Sequence, residues 1–352
     1  MSATTAAPRP LRGAIVGLGM MGRHHARLLQ TSGLTTFVGA VDPGGDRHGA
    51  VADPGLVFPT VRALLDHDPS AAPELAVVAV PTEEHVPAVL ELVAAGVSVL
   101  VEKPLAEDPA RARELIAAVR AAGVHGAVGH VERCNPALIE LRRRAQAGQL
   151  GQVFHVATER IGPFPDRIRD VGVVKDLATH DLDLVGWLGG GPVVTLAAQT
   201  QHRMGRRHED LVNVVGRLAH GTTFTTMVDW LSPTKVRRTR VLGERGMLVA
   251  DTLTADLTFY ANGEVTSEWD AARALRGVSE GDVTRYALSR REPLLVELEG
   301  FCALVRGDEQ AAVVSLEEGL AAVELADAVL RSAAEGETVH VTAGGHAAGV
   351  AR

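Results

Sequence analysis

The sequence predicts an α/β protein: an N-terminal doubly wound parallel sheet, followed by an α+β domain with a mostly antiparallel open sheet. Three observations lead there. Up to about residue 135, short apolar runs alternate with stretches of helical periodicity, and the runs are too continuous for a sheet with one wet face. Beyond Gly151, strand-like stretches follow one another across short turns, as in antiparallel pairing. The 352 residues suffice for two domains that bury their cores without disulfide or metal staples.

Residues 1–10, rich in Ala, Thr and Pro, read as a loose tail. Leu11 to Gly17 is an apolar run ending in glycine, which suits a buried strand; Met20 to Gln30 is helical and Thr35 to Val41 a second strand. Glu74–Val80 and Val97–Val101 read as strands, Glu83–Ala95 and Pro109–Ala122 as helices, and Val124–Val131 as the last strand of a domain placed at 11–135. In the second domain, 136–341, strands are expected at Val153–Arg160, Val193–Gln201, Leu211–Ala219, Thr222–Trp230, Lys235–Leu242, Met247–Asp251 and Leu257–Tyr260. Turn signals such as Ala219-His220-Gly221 and Ala261-Asn262-Gly263 separate them. A helix near Asp176–Leu188 interrupts the strands. Two more, Leu294–Arg306 and Leu316–Ala334, close the chain, the last a candidate to pack back on the first domain; 342–352 reads as a second loose tail.

Lys+Arg number 35 against 43 Asp+Glu, a net charge of -8, which disfavours nonspecific binding to nucleic acid or an anionic membrane. Aromatic residues are 3%, too few for a base-stacking platform. The most apolar stretch, Val86 to Val101, is broken by Glu91 and Gly96, so no membrane span is expected. No apolar segment precedes the first strand, and Cys134 and Cys302 lack metal-ligand spacing; a cytoplasmic protein with two reduced thiols is expected.

Gly17-Leu18-Gly19-Met20-Met21-Gly22 is a GxGxxG between a strand and a helix. The first glycine permits the tight turn, the second lets a pyrophosphate reach the backbone, and the third allows close helix packing. The helix start supplies N–H groups and positive potential to the phosphates. Asp42, at the end of the second strand, can accept hydrogen bonds from the adenosine ribose hydroxyls and repels a 2′-phosphate. NAD is therefore expected over NADP, with nearby Arg47 keeping phosphate binding open. His25, in the first helix, is a candidate for the cofactor region.

Two further strands end in Ala79-Val80-Pro81-Thr82-Glu83-Glu84-His85 and Val101-Glu102-Lys103-Pro104, at the sheet edge where such folds bind ligands. With these motifs and Asp176-xxx-His180 in an antiparallel second domain, the sequence resembles the Gfo/Idh/MocA oxidoreductase family from about Leu11 to Val341. The resemblance implies a Rossmann domain and hydride transfer between a nicotinamide and a carbinol carbon of a sugar, cyclitol or related polyol. It maps the hydroxyl-binding lysine onto Lys103, the aspartate and histidine of the second domain onto Asp176 and His180, cofactor-lining residues onto Pro81, Thr82 and His85, and a nicotinamide-ribose contact onto Glu102.

Elementary chemistry supports such a set. Oxidising an alcohol needs a base for the hydroxyl proton and a cation near the developing oxyanion. A histidine ordinarily titrates near neutrality, so His180 suits the base; Lys103 suits the cation, or the base if its neighbours lower its pKa. Asp176, four residues before His180, shares its face if both are helical, and could orient the imidazole or bind a substrate hydroxyl. Asp176, His180 and Asp183 also share a face as a conceivable metal set, but no metal is expected, because this dehydrogenase chemistry needs none.

Gly172 to Asp183, Asp229 to Arg237 and Glu132 to Pro136 are similar to segments of family members that oxidise the C3 hydroxyl of a UDP-linked amino sugar such as UDP-N-acetylglucosamine. Lys175 and Cys134 depart from that pattern. A diphosphate demands cations, and Arg160 and Arg167 are expected to bind it, with Lys235, Arg237, Arg238 and Arg240 as further cations. The alternatives are an inositol or free-sugar dehydrogenase and a non-catalytic nicotinamide sensor. A homodimer or homotetramer through the second sheet is expected, because an open apolar face calls for cover.

Overall fold

The computed structural model describes residues 8–165, 171–263 and 280–341. The chain divides into two compact units, residues up to His130 with Leu294–Leu320, and Val131–Pro293 with the residues from Ala321 onward.

The first unit opens with β1 (Leu11–Val16), α1 (Gly22–Thr31), β2 (Thr35–Val41), β3 (Val57–Phe58), α2 (Val61–His67) and β4 (Leu75–Val78). It continues through α3 (His85–Ala94), β5 (Ser98–Glu102), α4 (Pro109–Ala122) and β6 (Gly126–Gly129). The strands are parallel in the order β3-β2-β1-β4-β5-β6. Every residue of β4 and β5 is buried, which explains their unbroken apolar sequence. Capping fixes α4 locally: the Asp108 side chain accepts from the N–H groups of Ala110 and Arg111, and Pro109 follows at the first helical position. The short α2, absent from the sequence reading, is capped by Thr60.

The second unit contains α5 (Pro136–Gln146), β7 (Val153–Pro163), a π-turn at Val174–Ala178, α6 (Thr179–Gly189) and β8 (Val193–Gln201). Then come β9 (Leu211–Leu218), β10 (Thr223–Asp229), β11 (Leu231–Gly243), β12 (Gly246–Asp251), β13 (Asp256–Asn262) and β14 (Glu280–Tyr286). After α7 (Pro293–Val305) and α8 (Leu316–Glu335), β15 (Val339–His340) joins the same sheet, whose order is β14-β13-β12-β11-β7-β10-β9-β8-β15. Its pairs are antiparallel except β7 with β10. One face carries Val156, Val214, Phe224, Val241 and Leu248 against Leu138 and Leu141 of α5, Leu182 and Val185 of α6, and Val329 of α8. On the other face Val215, Met227, Leu242, Tyr260 and Val283 are exposed.

The sequence reading kept 294–320 in the second domain, whereas the structure returns that stretch to the first unit. The reason is pairing at the β6 edge: the Val128 N–H donates to the Val314 carbonyl at 2.9 Å, and Gly319 comes so close to Val128 that an added Cβ would lie 2.5 Å from its methyl. The two-residue β3 and β15 escaped the reading, as did two longer elements. β14 is mostly polar, so apolar alternation could not reveal it. The start of α5 did carry a signal, Asn135-Pro136, and the Asn135 side chain caps it by accepting from the Ala137 N–H at 3.0 Å.

Candidate active site

β1 hands the chain to Gly17 at φ 95°, where an added Cβ would lie 2.5 Å from the Ala79 carbonyl oxygen. Five residues on, a Cβ at Gly22 would lie 1.9 Å from the Gly17 oxygen, so only glycine lets α1 start so close to the turn. Around Gly19 the same test meets nothing within 4 Å, which leaves the backbone open to a ligand, and Met20 and Met21 are exposed beside it. Asp42 braces this turn: its Oδ2 accepts from the Leu18 N–H at 2.9 Å and its Oδ1 from the Gly44 N–H at 2.8 Å. Each oxygen keeps a lone pair for a ribose hydroxyl. Arg47 lies against the same turn, its Nε donating to the Gly44 carbonyl at 3.3 Å. An open glycine backbone, a helix start and a carboxylate at the second strand's end fit a bound dinucleotide.

At the end of β4, Pro81 and Thr82 begin a short 3-10 turn that leads into α3. His85 differs from the expectation of a cofactor-lining side chain. It is buried, with Nδ1 3.1 Å from the Pro104 oxygen and Nε2 3.1 Å from the Val80 oxygen, so it joins the exits of β4 and β5. Burial pushes its pKa down, outweighing the carbonyl contacts.

Glu102 ends β5 and is also buried. Its Oε1 lies 2.8 Å from His25 Nε2, and its Oε2 accepts from the Lys103 N–H at 3.3 Å. Burial opposes its charge, but the His25 hydrogen bond and the neighbouring cationic groups outweigh it and hold the carboxyl below the usual range. Lys103 follows, half-buried and joined to Pro104 by a cis peptide bond. The sequence reading missed Glu297 on α7, a carboxyl pushed well above the usual range by burial and by the Glu102 charge. Its signal was there: a glutamate inside the apolar run Pro293–Val305.

In the second unit, Asp176 sits in the π-turn and His180 in the first turn of α6; both are half-buried. The single helix expected from Asp176 thus starts with a wider turn, a local form common at functional sites. The aspartates beyond His180 are committed to arginines. Asp183 takes Arg133 in a two-pronged pair at 2.5 and 2.8 Å. Asp181 accepts from Arg160 Nε at 2.5 Å, while Arg160 Nη1 donates to Glu132 at 2.9 Å.

Arg160 therefore departs from the expectation of a phosphate ligand. It is 5% exposed, and although burial opposes its charge, the two carboxylates raise its pKa. Of those carboxyls, Glu132 is held low, burial being outweighed by Arg160, and Asp181 is pushed up by burial in spite of it. Arg167 lies outside the described residues. Arg237 donates to the Ile161 and Val236 carbonyls, whereas Lys235, Arg238 and Arg240 are exposed on β11.

The model of an oxidoreductase family with an NAD-binding Rossmann fold matches residues 11–130, and that of the GFO/IDH/MocA C-terminal domain matches 138–249. The chain belongs to the Gfo/Idh/MocA family. Its first unit is an NAD-binding Rossmann domain, and the protein is an oxidoreductase of the class that acts on hydroxyl groups. It is 29% identical over 293 residues to the UDP-N-acetylglucosamine 3-dehydrogenase of Acidithiobacillus ferrooxidans, covering 83% of this chain and 87% of that one. A solved structure of such an enzyme, GnnA from the same species, superposes with a TM-score of 0.77 at 26% identity, over 92% of this chain and 97% of that one. An inositol 2-dehydrogenase of Paenarthrobacter aurescens is 27% identical over 95% of this chain and 99% of its own. GenD2 from gentamicin A biosynthesis, solved in complex with NAD, is 25% identical with a TM-score of 0.76, over 97% and 99% of the two chains.

Proposed function

We propose that this chain is an NAD-dependent dehydrogenase that oxidises the C3 hydroxyl of a UDP-linked amino sugar, such as UDP-N-acetylglucosamine, to a ketone. The observation that carries this reading is the likeness to the Acidithiobacillus ferrooxidans enzyme in both sequence and fold. NAD, when bound, supplies the hydride acceptor. His180 takes the hydroxyl proton, Asp176 orients the imidazole or holds a neighbouring hydroxyl, and the Lys103 ammonium meets the charge developing on oxygen. The chemistry equally allows Lys103 as the base with His180 beside the developing charge. Pro81 and Thr82 border the nicotinamide end, and Asp42 with the glycine turn holds the adenosine end.

A second reading has a specific observation behind it. Arg160 is bound to Asp181 and Glu132, which removes one of the two arginines expected at a diphosphate. A free cyclitol or sugar needs no such cations, and inositol dehydrogenases are among the relatives. Under the first reading the diphosphate falls to Arg167 and to Lys235, exposed near the start of β11, because Arg238 and Arg240 share the open sheet face with Leu242. The test is NADH formation from NAD with UDP-N-acetylglucosamine, myo-inositol or glucose. Turnover confined to the nucleotide sugar supports the first reading; turnover with a free polyol replaces it with the second. NADH binding without turnover on any of the three points to a substrate outside this set or to the sensor.

The exposed apolar face of the nine-stranded sheet supports a homodimer or homotetramer joined there. No helix among the described residues is long and apolar enough to cross a membrane.

A further inference from the structure

The π-turn that carries Asp176 is held from outside. Its approach, Val171 to Val174, has three backbone groups bonded to the segment that precedes β9. Arg206 Nη2 donates to the Val171 carbonyl at 2.8 Å, the Val173 N–H donates to the Glu209 carbonyl at 3.0 Å, and the Val174 N–H donates to Glu209 Oε1 at 3.0 Å. The two N–H groups taken by Glu209 lead into the turn, where a helix leaves its donors unsatisfied.

Glu209 is itself fixed. It is 7% exposed, and its neighbour Asp210 is tied down at both backbone atoms, the N–H to the Gln201 carbonyl at 2.8 Å and the carbonyl to the Trp230 N–H at 2.9 Å. Oδ2 of Asp210 accepts two further N–H groups, from Arg203 and Met204. The approach is made to measure for this carboxylate: an added Cβ at Gly172 would lie 2.0 Å from Glu209 Oε1. Gly172 in turn accepts the Asp176 N–H at 3.1 Å, so Gly172 touches both the clamp and the residue it positions.

We propose that Glu209 is the positioning residue for Asp176 and His180, its carboxylate fixing where the π-turn begins and thereby the phase of both side chains. In an unbroken α-helix, residues four apart stack on one face, whereas a π-turn sets the first of them further round. The start of the turn therefore decides how Asp176 faces His180. This rests on the roles proposed above for those two residues, but the clamp itself has its own readout.

The experiment compares Glu209→Ala, Glu209→Gln and Gly172→Ala with the wild-type chain. Glu209→Ala speeds hydrogen exchange of the Val174 amide about tenfold, leaves that of Val173, whose acceptor is the backbone carbonyl, near wild type, and lowers kcat about 30-fold, while KM for NAD stays unchanged. Glu209→Gln keeps an acceptor oxygen and restores both to within about threefold of wild type. Gly172→Ala, which displaces the carboxylate but leaves it in the chain, repeats the Glu209→Ala result and serves if that variant does not fold.

Unchanged Val174 exchange in Glu209→Ala overturns the clamp. Faster exchange with wild-type kcat, in an enzyme that Asp176→Asn disables, overturns the positioning role. A folded Glu209→Gln as slow as Glu209→Ala overturns it too. Should Asp176→Asn and His180→Ala both turn over normally, the proposed catalytic roles fall and the positioning role with them, while exchange still decides whether Glu209 holds the turn.

Discussion

The glycine turn before α1 and the π-turn before α6 both open a helix, yet they are built from different ranges of the chain. The first rests on Gly17, Gly19 and Gly22, braced by Asp42, 24 residues from the Leu18 N–H it accepts. The second depends on Glu209, 35 residues beyond the Val174 N–H it holds, and is followed by aspartates tied to Arg160 on β7 and Arg133 before α5. A turn made by near neighbours is complete once β1 and β2 pair. One made by distant side chains exists only after the second sheet has formed, so its geometry shares the fate of that whole unit.

That contrast can be broken most forcefully at Arg160. Arg160→Ala leaves Asp181 and Glu132 buried without their guanidinium and should cost about 3–5 kcal/mol of stability, measured by denaturant unfolding. A loss under about 1 kcal/mol would show the cluster to be incidental. Next, Lys103→Ala and His180→Ala should each lower kcat about 100-fold while NADH titrations stay at wild-type affinity. Weakened NADH binding in either variant would mean that its side chain serves the cofactor rather than the reacting hydroxyl.

Asp42→Ala sharpens the local side. It removes both the ribose acceptor and the brace on Leu18, so NAD should bind about tenfold more weakly and the preference over NADP should shrink. An unaltered cofactor preference removes Asp42 from recognition and leaves it only the turn.

The smallest effect belongs to Glu297. Its folded-state pKa is raised, so its contribution to stability is full below the ordinary carboxyl value near 4.5 and is lost as pH rises through the folded value. Glu297→Gln stays neutral, so its melting temperature should match wild type near pH 4 and exceed it by about 2–3 °C near pH 9. A constant difference across that range would mean that Glu297 keeps its charge when folded.

The sequence was most informative where cause and effect lie close together. The glycine spacing, the continuous apolar strands β4 and β5, and Asp42 at the end of β2 could be read because each depends on nearby residues. Charge partners could not. His25 with Glu102, Arg160 with Asp181 and Val174 with Glu209 meet only through the topology, and nothing in a lone arginine names its carboxylate. Arg160 did carry one legible sign. Val156, Thr158 and Arg160 alternate along β7 and are all buried, so the arginine shares the face of core residues. Weighed as alternation, that sign predicts an inward ion pair; weighed as charge, it suggests a phosphate ligand.

The return of Leu294–Leu320 to the first unit has a consequence for the order in which the protein is made. A ribosome finishes β1 through β6 early, yet the strand edge at Val128 stays bare until Val314 has left the exit tunnel, after all of Val131–Pro293 has been synthesised. The second unit likewise takes in the residues from Ala321 onward, so both units are completed by residues that follow Pro293. The β6 edge thus waits uncovered through the synthesis of the second unit's longer segment.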